Sequence, residues 1–249
     1  MGIIIKSENE ITLMRQAGKI VARVLDKLTG LIKPGIKTQE LDVIAEEEIL
    51  RLGGIPSFKG YRSYPATLCV SINDEIVHGI PGNRVLKESD LVSLDVGAIY
   101  KGYQGDASIT VGITPVSETG KRLLETTKGA LAEGIRVARA GVHVGDLSNA
   151  IQSYVEKTGF YLVKEYSGHG IGANLHEDPQ VPNVGVKGEG PVLYPGMTLA
   201  IEPMVNTGTW RTRIAKNMWT VLTADGGLSA HFEHTIVITK NGAEILTAL

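Results

Sequence analysis

Cysteine is all but absent: Cys69 is the only one in a chain of 249 residues. A disulfide framework and a thiolate zinc finger both need several, so both are excluded, and the usage suits a reducing compartment such as the cytoplasm. An excess of charge of one sign is also lacking, since 25 Lys+Arg face 27 Asp+Glu for a formal net charge of −2. A surface that holds phosphate backbones shows clustered excess Lys/Arg, so no direct nucleic-acid binding is expected. No apolar run approaches 18 residues, which excludes a helical membrane span. The N-terminus MGIIIKSENE is no secretory signal, because Lys6 and the acids behind it end the apolar stretch. Lys6 also stands where a myristoylation signal wants Ser or Thr. What remains, 43% hydrophobic and 21% charged, is a soluble globular chain with ample material for a core.

Apolar residues Ile11, Met14, Ile20, Val21, Val24, Leu25 and Leu28 recur at helical spacing and predict a helix over 8–30. Lys33-Pro34-Gly35 breaks it, Thr38 can cap a second helix through about Leu52, and Gly53-Gly54 closes that one. Strands are predicted at 67–72, 75–78, 91–99 and 107–113, then helices at 117–139 and 145–158. Further strands are expected at 161–166, 197–205, 218–222 and 232–239. Sliding the chain on itself by 106 sets Gly35-Ile36 on Gly141-Val142, Glu40-Leu41 on Asp146-Leu147, and Gly53 on Gly159. A slide of 107 sets Val85-Leu86 on Val192-Leu193, Leu94 on Ile201, and Asp95 on Glu202. Asp106 falls on Glu233 once 20 further residues are allowed. The common order predicts one α+β domain over 1–249 with two pseudo-symmetric halves, roughly 1–115 and 116–249. Their half-sheets would pair into a curved antiparallel sheet with helices on its outer face.

The repeat gives the carboxylates meaning. Asp95 interrupts the apolar strand around Leu94 and Val96, and Glu202 follows Met197-Thr-Leu-Ala-Ile201. Such acids are costly unless paired, hydrogen-bonded or bound to metal. A single one reads best as a structural salt bridge; matched acids in two halves read as a convergent cluster. Asp106 and Glu233 form the second pair, each opening a strand. Four converging carboxylates repel, and two divalent cations would cancel that charge. Oxygen-rich ligation with one imidazole suits Mn²⁺, Fe²⁺ or Co²⁺ and admits Zn²⁺. The imidazole must come from six histidines. His169 lies in the glycine-rich Ser167-Gly-His-Gly-Ile-Gly, His78 closes a strand, and His176 opens His176-Glu-Asp-Pro before a rigid loop. His143 reads as a surface loop residue, and His231 and His234 as structural. The glycine run lacks the spacing of a dinucleotide-binding loop.

Asp95, Asp106, His169, Glu202 and Glu233, in that order and in these contexts, resemble the five metal ligands of type I methionine aminopeptidases. Ser71-Ile-Asn-Asp-Glu-Ile-Val-His-Gly-Ile-Pro, His176-Glu-Asp-Pro, Ile201-Glu-Pro-Met and Phe232-Glu-His-Thr resemble the same family. The resemblance implies the pita-bread fold of creatinases and aminopeptidases. It also implies removal of the initiator methionine from nascent proteins whose second residue is small. Two divalent metal ions would activate a bridging hydroxide, one held by Asp106, His169, Glu202 and Glu233, the other by Asp95, Asp106 and Glu233. Glu202 would shuttle a proton, His176 would stabilise the oxyanion, and His78 would orient the scissile peptide nitrogen. Phe58, Tyr61, Tyr64, Cys69, Leu175 and Trp219 would line the methionine pocket, with Phe58 and Leu175 departing from the commoner Cys and Phe. N-terminal methionyl peptides, transient ribosome association and a monomeric state are implied as well, and the Met1-Gly2 start would make the chain its own substrate. Xaa-Pro peptidases of the same fold usually carry an N-terminal domain, for which a first metal-bearing strand near residue 91 leaves no room. Type II enzymes carry a helical insertion, whereas His176 and Glu202 are 26 residues apart. A metal-free binding module is a third reading, disfavoured by the full set of ligand types.

Overall fold

The structure, a computed structural model, describes residues 2–249; Met1, and with it the expected cleavage point of the chain's own N-terminus, lies outside the described residues. Helix α1 (Glu8–Thr29) starts at a capping box, Ser7 and Glu10 each satisfying the other's backbone N–H, with acids in its first turn and Lys27 in its last. Then come α2 (Thr38–Arg51), β1 (Ile55–Pro56), β2 (Leu68–Ile72), β3 (Glu75–Val77), β4 (Leu91–Tyr100) and β5 (Tyr103–Gly112). Next are α3 (Glu118–Val137), α4 (Val144–Glu156), β6 (Tyr161–Leu162), β7 (Ser167–Gly170), β8 (Glu177–Pro182) and β9 (Thr198–Ile201). Short strands β10 (Met204–Asn206), β11 (Thr212–Ile214), β12 (Val221–Thr223) and β13 (Ser229–His231) lead to β14 (Glu233–Ile238) and β15 (Ala243–Ile245).

The main sheet runs β1-β4-β5-β14-β9-β7-β8, with β2 also on β4 and β15 on β14, and every pairing is antiparallel. Ile20, Val24, Leu28 and Leu41 of α1 and α2 pack on Leu94 and Val96 of β4. Leu123, Leu131, Leu147 and Ile151 of α3 and α4 pack on Leu199, Ile201 and Ile236. Ile109 of β5 touches both clusters. The predicted repeat is written in hydrogen bonds. Gly35 N–H donates to Leu86 O and Gly141 N–H to Leu193 O, both at 2.9 Å. Leu86 N–H returns to Ile36 O at 2.9 Å, as Leu193 N–H does to Val142 O at 2.8 Å. Glu40 caps the Lys37 N–H, and Asp146 caps the His143 N–H, each at 2.7 Å.

Several local expectations are corrected. Lys37, not Thr38, is the N-cap of α2; the Thr38 hydroxyl instead pairs with the Gly82 backbone. The strand expected over 197–205 stops at Ile201, because Pro203 has no N–H to continue a ladder. The stretch 161–166 is a strand only at Tyr161–Leu162. Asp106 sits inside β5 rather than opening it. The glycine-rich 167–170, outside the predicted strands, and the Pro-containing 177–182, expected as a rigid loop, are paired strands, with β8 at the sheet edge where proline is tolerated. His143 is the N-cap residue of α4, and its Nδ1 meets Gly190 O at 2.8 Å.

Helix α1 crosses β5 with backbones touching: a Cβ on Gly105 would lie 2.7 Å from Gly18 N, and one on Gly18 would lie 2.1 Å from Leu246 O. Gly105→Ala should therefore lift α1 from the sheet and cost about 1–3 kcal/mol, read as a lowered urea midpoint at unchanged m-value. An unchanged midpoint would show that the crossing is looser than described.

Candidate metal centre

Side chains alternate across a strand, and partners in register share a face. Leu94 and Val96 face α1 and α2, so Asp95 faces the other way, beside its partners Cys69 and Ser108. Ser108 is also the partner of Glu233, and Asp106 lies on that face two residues before Ser108. Thr235 pairs with Ala200, and Ala200 with His169. The register thus carries Asp95, Asp106, Glu233 and His169 onto the helix-free face, with Glu202 two residues beyond Ala200. Single ligand atoms of Asp106, His169 and Glu233 lie within 4.8 Å of one another, and His169 Nε2 is 3.5 Å from Glu202 Oε1.

One cavity of about 650 Å³, its open mouth included, is lined by all five residues together with His78, His176, Phe58, Tyr61, Tyr64, Cys69, Leu175 and Trp219. Every residue expected as a metal ligand, catalytic group or pocket wall therefore lines one cavity. Phe58 reaches the cavity because position 97 is glycine; a Cβ there would lie 2.6 Å from its ring. Tyr64 is anchored by its hydroxyl to Gly79 O at 2.9 Å and meets Trp219 edge-on at 5.1 Å. Cys69 is buried and its thiol is pushed well up by burial, then by the Asp95 charge, so it stays protonated as a wall residue. His78 does not end β3 but follows it, in the left-handed region at φ 59°, a strained place for a side chain that turns the ring into the cavity. Tyr61 O–H lies 3.0 Å from His176 Nδ1 and the two rings stack.

One further residue escapes the sequence reading, and one is expected there only as structural. Arg62 lines the same cavity at its rim, and nothing in a lone arginine of a loop announces that. His231 is buried with Nε2 3.8 Å from Glu202 Oε2; its place two residues before Glu233 was the available signal.

Burial raises all four carboxylates, and repulsion from neighbouring acids adds to it at Asp106, Glu202 and Glu233. Asp95 is pushed up to about 7 by burial. Asp106 is raised well above the ordinary range by burial, then by Asp95 and Glu202. Glu202 is raised by burial and by Asp95, and Glu233 by burial, then Asp106, Glu202 and Asp95. His169 moves the other way, to about 3, by burial and then by His176. It is neutral at pH 7, and its Nδ1–H donates to Gly170 O at 2.8 Å, which turns the Nε2 lone pair toward the carboxylates. Asp95 Oδ1, Asp106 Oδ1 and Glu233 Oε1 are buried and meet no hydrogen-bond partner among the described residues. Orphaned acceptors, clustered negative charge and one neutral imidazole are the donor set of hard or borderline divalent cations, so the residues fit such ions.

A duplicated antiparallel sheet that gathers this donor set beside an apolar pocket defines a metal-dependent enzyme of the pita-bread fold. Residues 12–240 match metallopeptidase family M24. Methionine aminopeptidase 1 of Bacillus subtilis is 51% identical over 245 residues, covering 98% of this chain and 99% of that relative. The methionine aminopeptidase of Clostridium acetobutylicum is 51% identical over 246 residues, 98% of each chain. The crystal structure of the Thermotoga maritima methionine aminopeptidase superposes with a TM-score of 0.99 at 47% identity over the whole of both chains. The chain belongs to metallopeptidase family M24 and, within it, to the bacterial type 1 methionine aminopeptidases. Prolidase from Pyrococcus furiosus shares the fold, with a TM-score of 0.81 at 23% identity, but this chain spans 66% of it.

The titrating groups oppose one another. Buried His169, His78 and His231, lowered to about 3, about 4 and about 3 from 6.5, contribute stability that is full above 6.5 and lost as pH falls. The raised carboxylates contribute stability at low pH that is lost as pH rises through their folded values, near 7 for Asp95. Above pH 6.5 only the carboxylate effect remains. The melting temperature of the metal-free protein should therefore fall as pH rises from about 6.5 through about 7, and Mn²⁺ should remove the fall. Glu233→Gln should raise the metal-free melting temperature at the alkaline end while weakening Mn²⁺ binding. A metal-free profile flat with pH would contradict a cluster of mutually repelling acids.

Proposed function

We infer that the protein hydrolyses the peptide bond after an N-terminal methionine, with two divalent cations held by Asp95, Asp106, His169, Glu202 and Glu233. The observation that carries this is the single cavity in which that donor set meets an apolar slot and two further histidines. Mn²⁺, Fe²⁺ and Co²⁺ suit the ligands, and Zn²⁺ is admitted. When bound, the cations supply Lewis-acid charge that polarises a carbonyl and acidifies an attacking water. Asp106 and Glu233, on the paired central strands β5 and β14, would hold the cations together with Asp95, His169 and Glu202.

The chain's own groups supply the rest. Glu202, raised by burial, accepts a proton from the attacking water and passes it to the leaving amine nitrogen. Burial and then Arg62 keep His176 neutral. Tyr61 O–H donating to its Nδ1 leaves the proton on Nε2, aimed to donate to the carbonyl oxygen as negative charge gathers there. His78, neutral by burial, is the partner for the scissile peptide nitrogen. Phe58, Tyr64, Cys69, Leu175 and Trp219 receive the methionine side chain, whose flexible thioether suits an aromatic slot. Nascent chains with a small second residue are the natural substrates on this reading. On this reading the protein works as a cytoplasmic monomer in passing contact with the ribosome, and its one buried free cysteine suits a reducing compartment.

Metal-stripped protein should release no methionine from Met-Gly-Met-Met, and Mn²⁺, Fe²⁺ or Co²⁺ added without oxygen should restore release while sparing Met-Leu-Met-Met. Release from neither peptide by folded, metal-loaded protein, with cleavage of Ala-Pro peptides instead, would move the assignment to an Xaa-Pro peptidase. Tyr61→Phe frees His176 Nδ1 and removes one neutral hydrogen bond, so kcat should drop by about tenfold, equivalent to about 1.4 kcal/mol. A kcat equal to wild type would show that Tyr61 does not set the His176 tautomer.

A further inference from the structure

His231 is a buried polar side chain for which packing gives no account. It ends β13, two residues before Glu233, and is 2% exposed. Both ring nitrogens are buried and meet no hydrogen-bond partner among the described residues. A buried polar atom without a partner costs about 1–3 kcal/mol, and an apolar side chain of the same size would avoid it. The backbone of the residue is firmly tied: its N–H donates to Thr110 Oγ1 at 2.9 Å and its carbonyl accepts from the same hydroxyl at 2.8 Å. Met204 is its partner across β10. The backbone is thus fixed, and Nε2 lies 3.8 Å from Glu202 Oε2.

The other oxygen of the same carboxylate, Oε1, lies 3.5 Å from His169 Nε2. Glu202 is therefore flanked by an imidazole on each oxygen, and among the described residues no hydroxyl, amide or backbone N–H donates to it. A carboxylate that gives one oxygen to a cation leaves the second in need of a donor, and such donors orient the ligand and tune its affinity.

We propose that His231 is a positioning residue for Glu202, donating Nε2–H to Oε2 and so presenting Oε1 to the cation beside His169. The proposal rests on the reading of Glu202 as a metal ligand. It treats His231 as a donor behind the centre and not as a sixth ligand.

Two substitutions of similar volume separate donor from filler: His231→Gln keeps an N–H, and His231→Met does not. Mn²⁺ is titrated calorimetrically into each full-length metal-free protein, alongside wild type and Glu202→Gln, with urea unfolding of the same samples. His231→Met should weaken Mn²⁺ binding by about 10–100-fold, and His231→Gln should recover most of that loss. A folded Met variant with wild-type Mn²⁺ affinity, or a Gln variant as impaired as Met, would overturn the proposal. A crystal structure of the wild-type protein soaked with Mn²⁺ tests it without any variant: Nε2–Oε2 should close to about 2.7–2.9 Å, and a gap that stays open would overturn it. Wild-type Mn²⁺ affinity in Glu202→Gln would instead overturn the parent reading of Glu202.

Discussion

Four carboxylates share a volume largely closed to water, and no lysine or arginine of the described residues pairs with any of them. That repulsion is the constraint around which the rest of the fold is arranged. Asp95, Asp106 and Glu233 are held in place by antiparallel ladders, so they cannot turn away to solvent as surface acids would. Two hydrophobic cores under four helices supply the rigidity that keeps the ladders in register. A protein that stores unfavourable charge at its centre binds cations strongly because binding relieves what folding imposed.

Much of this was legible in the sequence because the costs are local. Asp95 stands out where every neighbour is apolar, and the pairs Glu40/Asp146 and Gly35/Gly141 stand out because each repeats a helix cap or a turn. The alternation of β4 and β5 predicts which face the acids take. Other parts depend on contacts that no local pattern encodes. Ser167–Gly170 has no strand propensity, and it becomes a strand only because β9 and β8 offer ladders on both sides. His78 enters the cavity through a left-handed backbone that its residue type does not favour. Arg62 and His231 matter through what faces them across the fold, and sequence distance hides both.

The histidines illustrate how environment divides a single residue type into different tasks. His169 has one nitrogen fixed on a carbonyl and the other free. His176 is tuned by one phenol, Tyr61, which stacks on its ring and meets its Nδ1. His143 sits at a helix N-cap with its ring on the Gly190 carbonyl, and His234 turns to the Thr247 hydroxyl at 2.9 Å on the far face. Burial removes the charge of those lining the centre, so each can offer a lone pair or a neutral donor without adding to the electrostatic load.

The doubling of the sheet has a further consequence. His169 pairs with Ala200, two residues before Glu202, and in the first half Ser71 pairs with Ser93, two residues before Asp95. Ser71 thus holds the place that His169 holds, yet its hydroxyl only receives the Gly79 N–H. Two identical chains joined about a two-fold axis would carry the same residue at both places. A peptide entering by its amino end is itself lopsided, with one end to be gripped and one bond to be broken. Joining both halves in one polypeptide frees them to diverge, which lets a nearly symmetric basket of acids acquire a direction.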